Sequence, residues 1–270
     1  MQCRGIFLTG TDTDVGKTHV GCIIARQLVR QGHRVGTYKP VASGFPAWDG
    51  SDGQRLWEST SRSGTPELVS PQRFDAPFAP SVAAGMEGRA VDEQQIFSGV
   101  ARIANECDLL IIEGAGGLLS PISPRLTNAD LIAEVAIPAI IVANWRLGVV
   151  HQVLAALTAA HWFHIPVAAI VLSAVDSAEP HPSHQVLLDE FLEMRCGNSR
   201  TSDNSRTNIV NAGETTGAQV KPLPESWKSI PLLTLKHNQE TFGEDIDWAT
   251  LFAPIKFHRA SSSATTWRLP

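Results

Sequence analysis

The chain has 270 residues, enough for one α/β domain with a sizeable core. Apolar residues make up 43% and charged residues 18%, which excludes wholesale disorder. The formal net charge is −5, so there is no basic excess to draw the chain onto nucleic acid or an anionic membrane, and a small-molecule partner is favoured.

In chain order, the N-terminal MQCRGIFLTG holds one Arg and a short strand-like run, unlike the long apolar region of a signal peptide. No apolar run reaches the ~18 residues of a membrane span. Cys3, Cys22, Cys107 and Cys196 are far apart and form no C-x-x-C pair. They read as free thiols in a reducing cytoplasm, not as a disulfide framework or zinc site.

Short apolar runs then alternate with helical patterns, the signature of a parallel α/β sheet. Strands are predicted at Gly5–Thr9, Arg34–Lys39, Leu109–Glu113, Ala139–Asn144 and Val167–Leu172. Several are apolar nearly throughout, as expected where helices cover both faces. Helices are predicted at Lys17–Gln31, Asp92–Asn105, Asn128–Val135, Val149–Phe163 and Ser183–Met194. The first carries Val20, Ile23, Ile24, Leu28 and Val29 along one stripe, with Gly32 placed as a C-terminal cap.

Gly44–Gly53 reads as a loop. Cys196–Gly217 is rich in Asn, Ser, Thr, Arg and Gly and reads as a long polar surface insertion. Ser261–Pro270 reads as a frayed end. Neither segment marks a domain boundary. Residues 1–255 are therefore expected to form a single domain carrying the insertion 196–217, with 256–270 as a tail.

The chemistry-bearing motif is Gly10-Thr-Asp-Thr-Asp-Val-Gly-Lys17-Thr18, which follows a strand and opens an amphipathic helix. That context makes it a P-loop, with one residue more between its glycines than is usual. Backbone N–H groups around Asp14, Val15 and Gly16, at a helix N-terminus, suit the phosphates of ATP. Lys17 can reach the β- and γ-phosphates, and the Thr18 hydroxyl can ligate Mg²⁺. Asp12 and Asp14 are unusual in a phosphate cradle. One of them facing a cationic substrate and both capping a surface turn are equally open on chemistry alone.

Lys39 ends a strand on the phosphate side of the sheet, ahead of a Ser/Gly loop. Glu113 stands at a strand tip, before Gly114, Ala115, Gly116 and Gly117, where P-loop enzymes place a metal-coordinating carboxylate. Asp52 by itself reads as a helix cap. His151, His161, His164, His181 and His184 form no zinc pattern. The seven tryptophans are scattered and read as packing or rim residues.

The variant P-loop, then Tyr38-Lys39-Pro40-Val41-Ala42-Ser43-Gly44, then Gly50-Ser51-Asp52, Glu113-Gly114-Ala115-Gly116-Gly117 and Leu147-Gly148, resemble the dethiobiotin synthetase family from residue 5 to about residue 172. The resemblance implies a P-loop NTPase-like α/β fold in a cytoplasmic homodimer. It implies closure of a cyclic urea on 7,8-diaminononanoate from CO2, with ATP and Mg²⁺, by way of a carbamate and a carbamic-phosphoric anhydride. Lys17 and Lys39 would be catalytic. Thr18, Asp52 and Glu113 match the metal ligands, and Gly114–Gly116 match backbone contacts to the nucleotide. Thr13, Asp14 and Ser43 match positions beside the diamine. Gly148 and the helix start after it would reach the partner's site and bind the substrate carboxylate. There this chain has His151 where the family usually has Asn. Ser173-Ala174 replaces the family's adenine-reading Asn-Asp, and Ile230-Pro231-Leu232 loosely matches a late nucleotide-contacting turn.

Two rivals share the fold. A dimerising ATPase switch would carry an early lysine in a Lys-Gly-Gly context, where this chain has Thr11-Asp12-Thr13-Asp14. A degenerate relative that only binds nucleotide is suggested by His151 and Ser173-Ala174. It is opposed by Lys17, Thr18, Lys39, Asp52 and Glu113. An amidotransferase-linked synthetase acting on cobyrinic acid would need a glutaminase domain for which 270 residues leave no room.

Overall fold

A computed structural model of the chain describes residues 2–44, 47–176, 181–196, 223–242 and 246–257. The polar insertion lies outside these residues apart from Cys196, as does the expected tail from residue 258 onward.

β1 (Arg4–Gly10) feeds the P-loop and α1 (Lys17–Arg30). β2 (Val35–Tyr38), β3 (Val41–Ser43), α2 (Asp52–Ser59), α3 (Pro66–Val69), β4 (Gln72–Phe74), α4 (Pro80–Met86) and α5 (Glu93–Ala104) lead to β5 (Leu109–Gly117). There follow α6 (Asn128–Val135), β6 (Ala139–Asn144), α7 (Val149–Trp162), β7 (Val167–Ser173) and α8 (Ser183–Cys196). β8 (Leu232–Leu235) and the short β9 (Ala253–Pro254) come last.

The main sheet runs β2-β5-β1-β6-β7-β8, with β9 pairing β1. Every pairing is parallel except β9 against the start of β1. β3 and β4 form a separate parallel pair. Both faces of the main sheet are covered, which explains the apolar strands. On one face, Ile6, Leu8, Leu109 and Ile111 pack against Val20, Ile23, Ile24 and Leu28 of α1, together with Trp248. On the other, Phe7, Leu110 and Ile112 meet Ile96, Val100 and Ile103 of α5 and Leu131 and Ile132 of α6. Farther along the second face, Ile141, Ile170 and Leu172 meet Val153 and Leu157 of α7 and Leu188 of α8.

The expected strands and helices recur with boundaries that move by a residue or two, and with three informative differences. β5 continues through Gly117 instead of ending at Glu113, because β1 keeps pairing with it across a register shift that sets Gly10 opposite Gly117. The loop after Gly44 ends early, at α2. Its N-cap is Ser51, whose side chain accepts from Gln54 N at 3.2 Å, so Asp52 is the first helical residue and not the cap. Lys39 lies one residue past β2. The four cysteines are free and buried. Among the described residues no helix is long and apolar enough to cross a membrane.

Candidate active site

β1 lies between β5 and β6, so the chain leaves its carboxyl end where the strand order reverses direction, the usual crevice of open α/β sheets. A cleft of about 410 Å³ opens there. The P-loop is tied to β6 by Thr11 N donating to Val142 O at 2.9 Å. Gly16 caps α1 with φ 91°, and a Cβ on it would come within 2.7 Å of Ser173 Oγ, so position 16 demands glycine on both counts. The Asp12 carboxylate accepts from Thr13 N at 2.7 Å, which makes it a turn residue, while Asp14 lines the cleft from a left-handed backbone. Lys17 Nζ donates to the Asp12 carbonyl at 3.0 Å.

Three elements then bring charge together under the loop. Glu113, fully buried on β5, accepts at Oε1 from the Thr18 hydroxyl at 2.9 Å and from Lys39 Nζ at 2.5 Å. Lys39 Nζ also donates to Asp52 Oδ2, at the start of α2, at 3.0 Å. Burial pushes the Lys39 ammonium down, but the charges of Glu113 and Asp52 more than offset this and hold it above the ordinary lysine value. Burial likewise pushes Asp52 up, and Lys39 more than offsets that, leaving the carboxyl below its usual range. Lys17 is pushed down, first by burial and then by repulsion from Lys39. The two carboxylates on Lys39 thus favour its charged form.

Of the residues singled out in the sequence, Thr13, Asp14, Gly16, Lys17 and Thr18 line the cleft from the P-loop. Lys39, Ser43, Glu113, Ala115 and Gly116 close it from the neighbouring strand ends, and Asp52 from the start of α2. Val15 and Gly114 do not line it. Val15 sends its side chain into the α1 core, and Gly114 packs on Asn128 and Phe7. Gly148 caps α7 in a left-handed conformation and His151 is exposed in its first turn; neither lines the cleft of its own chain. Ser173, Ala174 and Val175 line the side beyond β7, facing His237 and Asn238 of the turn after β8. His237, Asn238, Arg55 and His19 belong to no motif and were not singled out in the sequence. The only signal for His237 and Asn238 is their place at the carboxyl end of a strand, and β8 itself was not legible.

The donors at the carboxylate cluster are all hard oxygens: the Thr18 hydroxyl, Asp52 and Glu113. Glu113 Oε2 is buried with no hydrogen-bond partner, as suits an oxygen meant for a cation. Among the described residues no three His, Cys, Asp or Glu side chains cluster into a metal cage. The set therefore fits Mg²⁺, which typically takes one or two carboxylates and completes its shell with water and phosphate oxygens.

A family profile described as an AAA domain matches residues 4–207. The chain is 40% identical over 187 residues to the ATP-dependent dethiobiotin synthetase BioD of Caulobacter sp. strain K31, covering 67% of this chain and 81% of that one. It is 39% identical over 170 residues to the protein of the same name from Anaeromyxobacter dehalogenans strain 2CP-C, covering 63% and 76%. It is 34% identical over 195 residues to that of Bacillus subtilis strain 168, covering 72% and 84%. Among solved structures, the cell division protein FtsY of Thermotoga maritima aligns over 63% of this chain and 52% of its own, at 17% identity and a TM-score of 0.34, too low to carry any argument. With most of the relatives' length matched and the motif residues gathered in one cleft, the chain belongs to the ATP-dependent dethiobiotin synthetase family, a family of ligases.

Proposed function

We propose that the protein closes the ureido ring of dethiobiotin from 7,8-diaminononanoate and CO2, using ATP and Mg²⁺, in the cytoplasm. The observation that carries this reading is the convergence of Lys17, Thr18, Lys39, Asp52 and Glu113 on one cleft. One substrate amine adds to CO2, losing a proton to give a carbamate. A carbamate oxygen attacks the γ-phosphorus, and ADP leaves. The second amine then attacks the carbamoyl carbon of the mixed anhydride, and phosphate leaves, taking up the proton that the amine gives up as the ring closes. Anionic carbamate must approach anionic phosphate, so the chain's task is positioning and charge neutralisation. Lys17 and the P-loop N–H groups hold the phosphates, and Lys39, fixed as a cation, faces the approaching oxygens. Thr18, Asp52 and Glu113 would hold Mg²⁺, which when bound neutralises phosphate charge. Thr13, Asp14 and Ser43 border the cleft where the diamine would lie, and the Asp14 carboxylate suits an ammonium.

The protein is further proposed to act as a homodimer and a single domain. Gly148 and His151 sit outside the cleft of their own chain beside Leu147, which is 87% exposed, as expected of residues that serve a partner's site. The test is phosphate release from ATP and Mg²⁺ with bicarbonate, with and without 7,8-diaminononanoate. Release that depends on the diamine supports the synthetase. Release that ignores it supports a nucleotide switch, and none at all a degenerate relative.

A further inference from the structure

We propose that Lys39 is a resident competitor for the cation site, holding the two carboxylates against a divalent metal until nucleotide phosphates draw it away. This rests on the reading of Asp52 and Glu113 as metal ligands. The ammonium of Lys39, a residue 4% exposed, contacts Glu113 Oε1 and Asp52 Oδ2 at once, and Glu113 Oε1 is also the oxygen that takes the Thr18 hydroxyl. All three groups read as metal ligands are thus tied into one network centred on an internal cation.

A divalent ion entering this network must share oxygens with a charged ammonium a few ångströms away, in surroundings too buried for water to screen the repulsion. Lys39 gives up the two carboxylates only for another set of anionic oxygens. Lys17 is in a parallel position, with its ammonium on the Asp12 carbonyl. The phosphates of a nucleotide give both lysines stronger, charge-assisted partners. Once Lys39 turns to them, Asp52 and Glu113 are left as two uncompensated buried carboxylates, which is what draws in the metal. Metal therefore enters with the nucleotide, and its entry keeps Lys39 where phosphoryl transfer needs it. The same side chain thus gates the cation and delivers the catalytic charge.

The test measures Mn²⁺, visible by electron paramagnetic resonance, binding to the nucleotide-free protein. Wild type should bind free Mn²⁺ weakly. The Lys39→Met variant, checked for native circular dichroism, should bind it tighter by about tenfold or more. Adding Asp52→Asn should remove the gain, placing it at this site. Equal or weaker Mn²⁺ binding by a folded Lys39→Met protein overturns the proposal. An independent reading uses wild-type protein labelled with ¹⁵N-lysine, with the Lys39 ammonium signal assigned from Lys39→Arg. That signal should move on addition of Mg²⁺ with ADP and stay in place with Mg²⁺ alone. A signal unmoved by Mg²⁺ with ADP overturns the proposal as well. Neither reading uses the diamine. Loss of diamine-dependent phosphate release with these results intact would remove the synthetase reading and leave the competition standing.

Discussion

Asn128 shows how a single side chain holds the site from behind. It is wholly buried as the first residue of α6, and its amide donates to Ala115 O at 2.8 Å and Gly117 O at 2.7 Å. It thereby stitches the glycine-rich end of β5 to a helix whose start is fixed by a capping box between Thr127 and Asp130. Its Oδ1 stands 2.5 Å from where a Cβ on Gly114 would sit, and a Phe7 ring carbon stands 2.7 Å away. Gly114→Ala is therefore expected to destabilise the fold by about 1–3 kcal/mol through overpacking. Asn128→Ala is expected to cost about 1–3 kcal/mol by taking a donor from two buried carbonyls, of which Gly117 O keeps Ser120 N at 3.0 Å. The double variant should lose less than the sum, because removing the amide vacates the space the new methyl needs. Urea melts of the four proteins measure that coupling. A coupling of zero would leave Phe7 as the sole reason for glycine at this position.

At the scale of elements, what was legible followed from length and burial. β1, β6 and β7 are continuous apolar runs, and α1 carries an unbroken stripe, so local pattern and tertiary placement agree. β3 and β4 are three residues long, too short for any period to register. α2 was legible only as a helix start at Asp52, one residue past the true cap. It opens with Asp52-Gly53 behind Gly50-Ser51, residues that signal a turn, yet Ser51 spends its side chain capping Gln54 N. That cap has a functional consequence, since it sets the first helical turn and hence the aim of Asp52 at Lys39. Ser51→Ala should cost about 1 kcal/mol of stability, within the range for caps. It should also raise the Mg²⁺ concentration needed for half-maximal phosphate release, with the KM for diaminononanoate unchanged. Thermal melts and a magnesium titration of turnover check the two halves. A stability loss with no change in magnesium dependence would show that Asp52 is aimed by Lys39 alone.

The whole molecule assembles its cleft from several strand ends and the start of α2, and legibility divides along the same line. Lys17, Thr18, Lys39 and Glu113 could be found because each stands beside a strand end within a recognisable local pattern. Asp52 needed the family resemblance to be chosen, and His237 and Asn238 could not be found at all. They reach the cleft only because β8 adds beside β7, where Ala174 N donates to Leu235 O at 2.8 Å. The turn they occupy is held twice. Gln239 folds its side chain back to accept from Lys236 N at 2.9 Å, and the His19 ring donates from Nε2 to the Gln239 carbonyl at 2.8 Å. His19 sits one residue after Thr18 on α1, so the second tie links the far wall of the cleft directly to the P-loop helix. Together with Ser173 and Ala174, this turn lines one side of the cleft. His19→Ala should therefore weaken ATP binding by about fivefold, the worth of one net hydrogen bond, while the KM for the diamine stays put. His19→Gln, which keeps a donor at about the same reach on a more flexible arm, should recover part of the loss. An ATP affinity equal to wild type in His19→Ala would mean that Gln239 holds the turn without help from the P-loop helix, and the two walls of the cleft would then be mechanically independent.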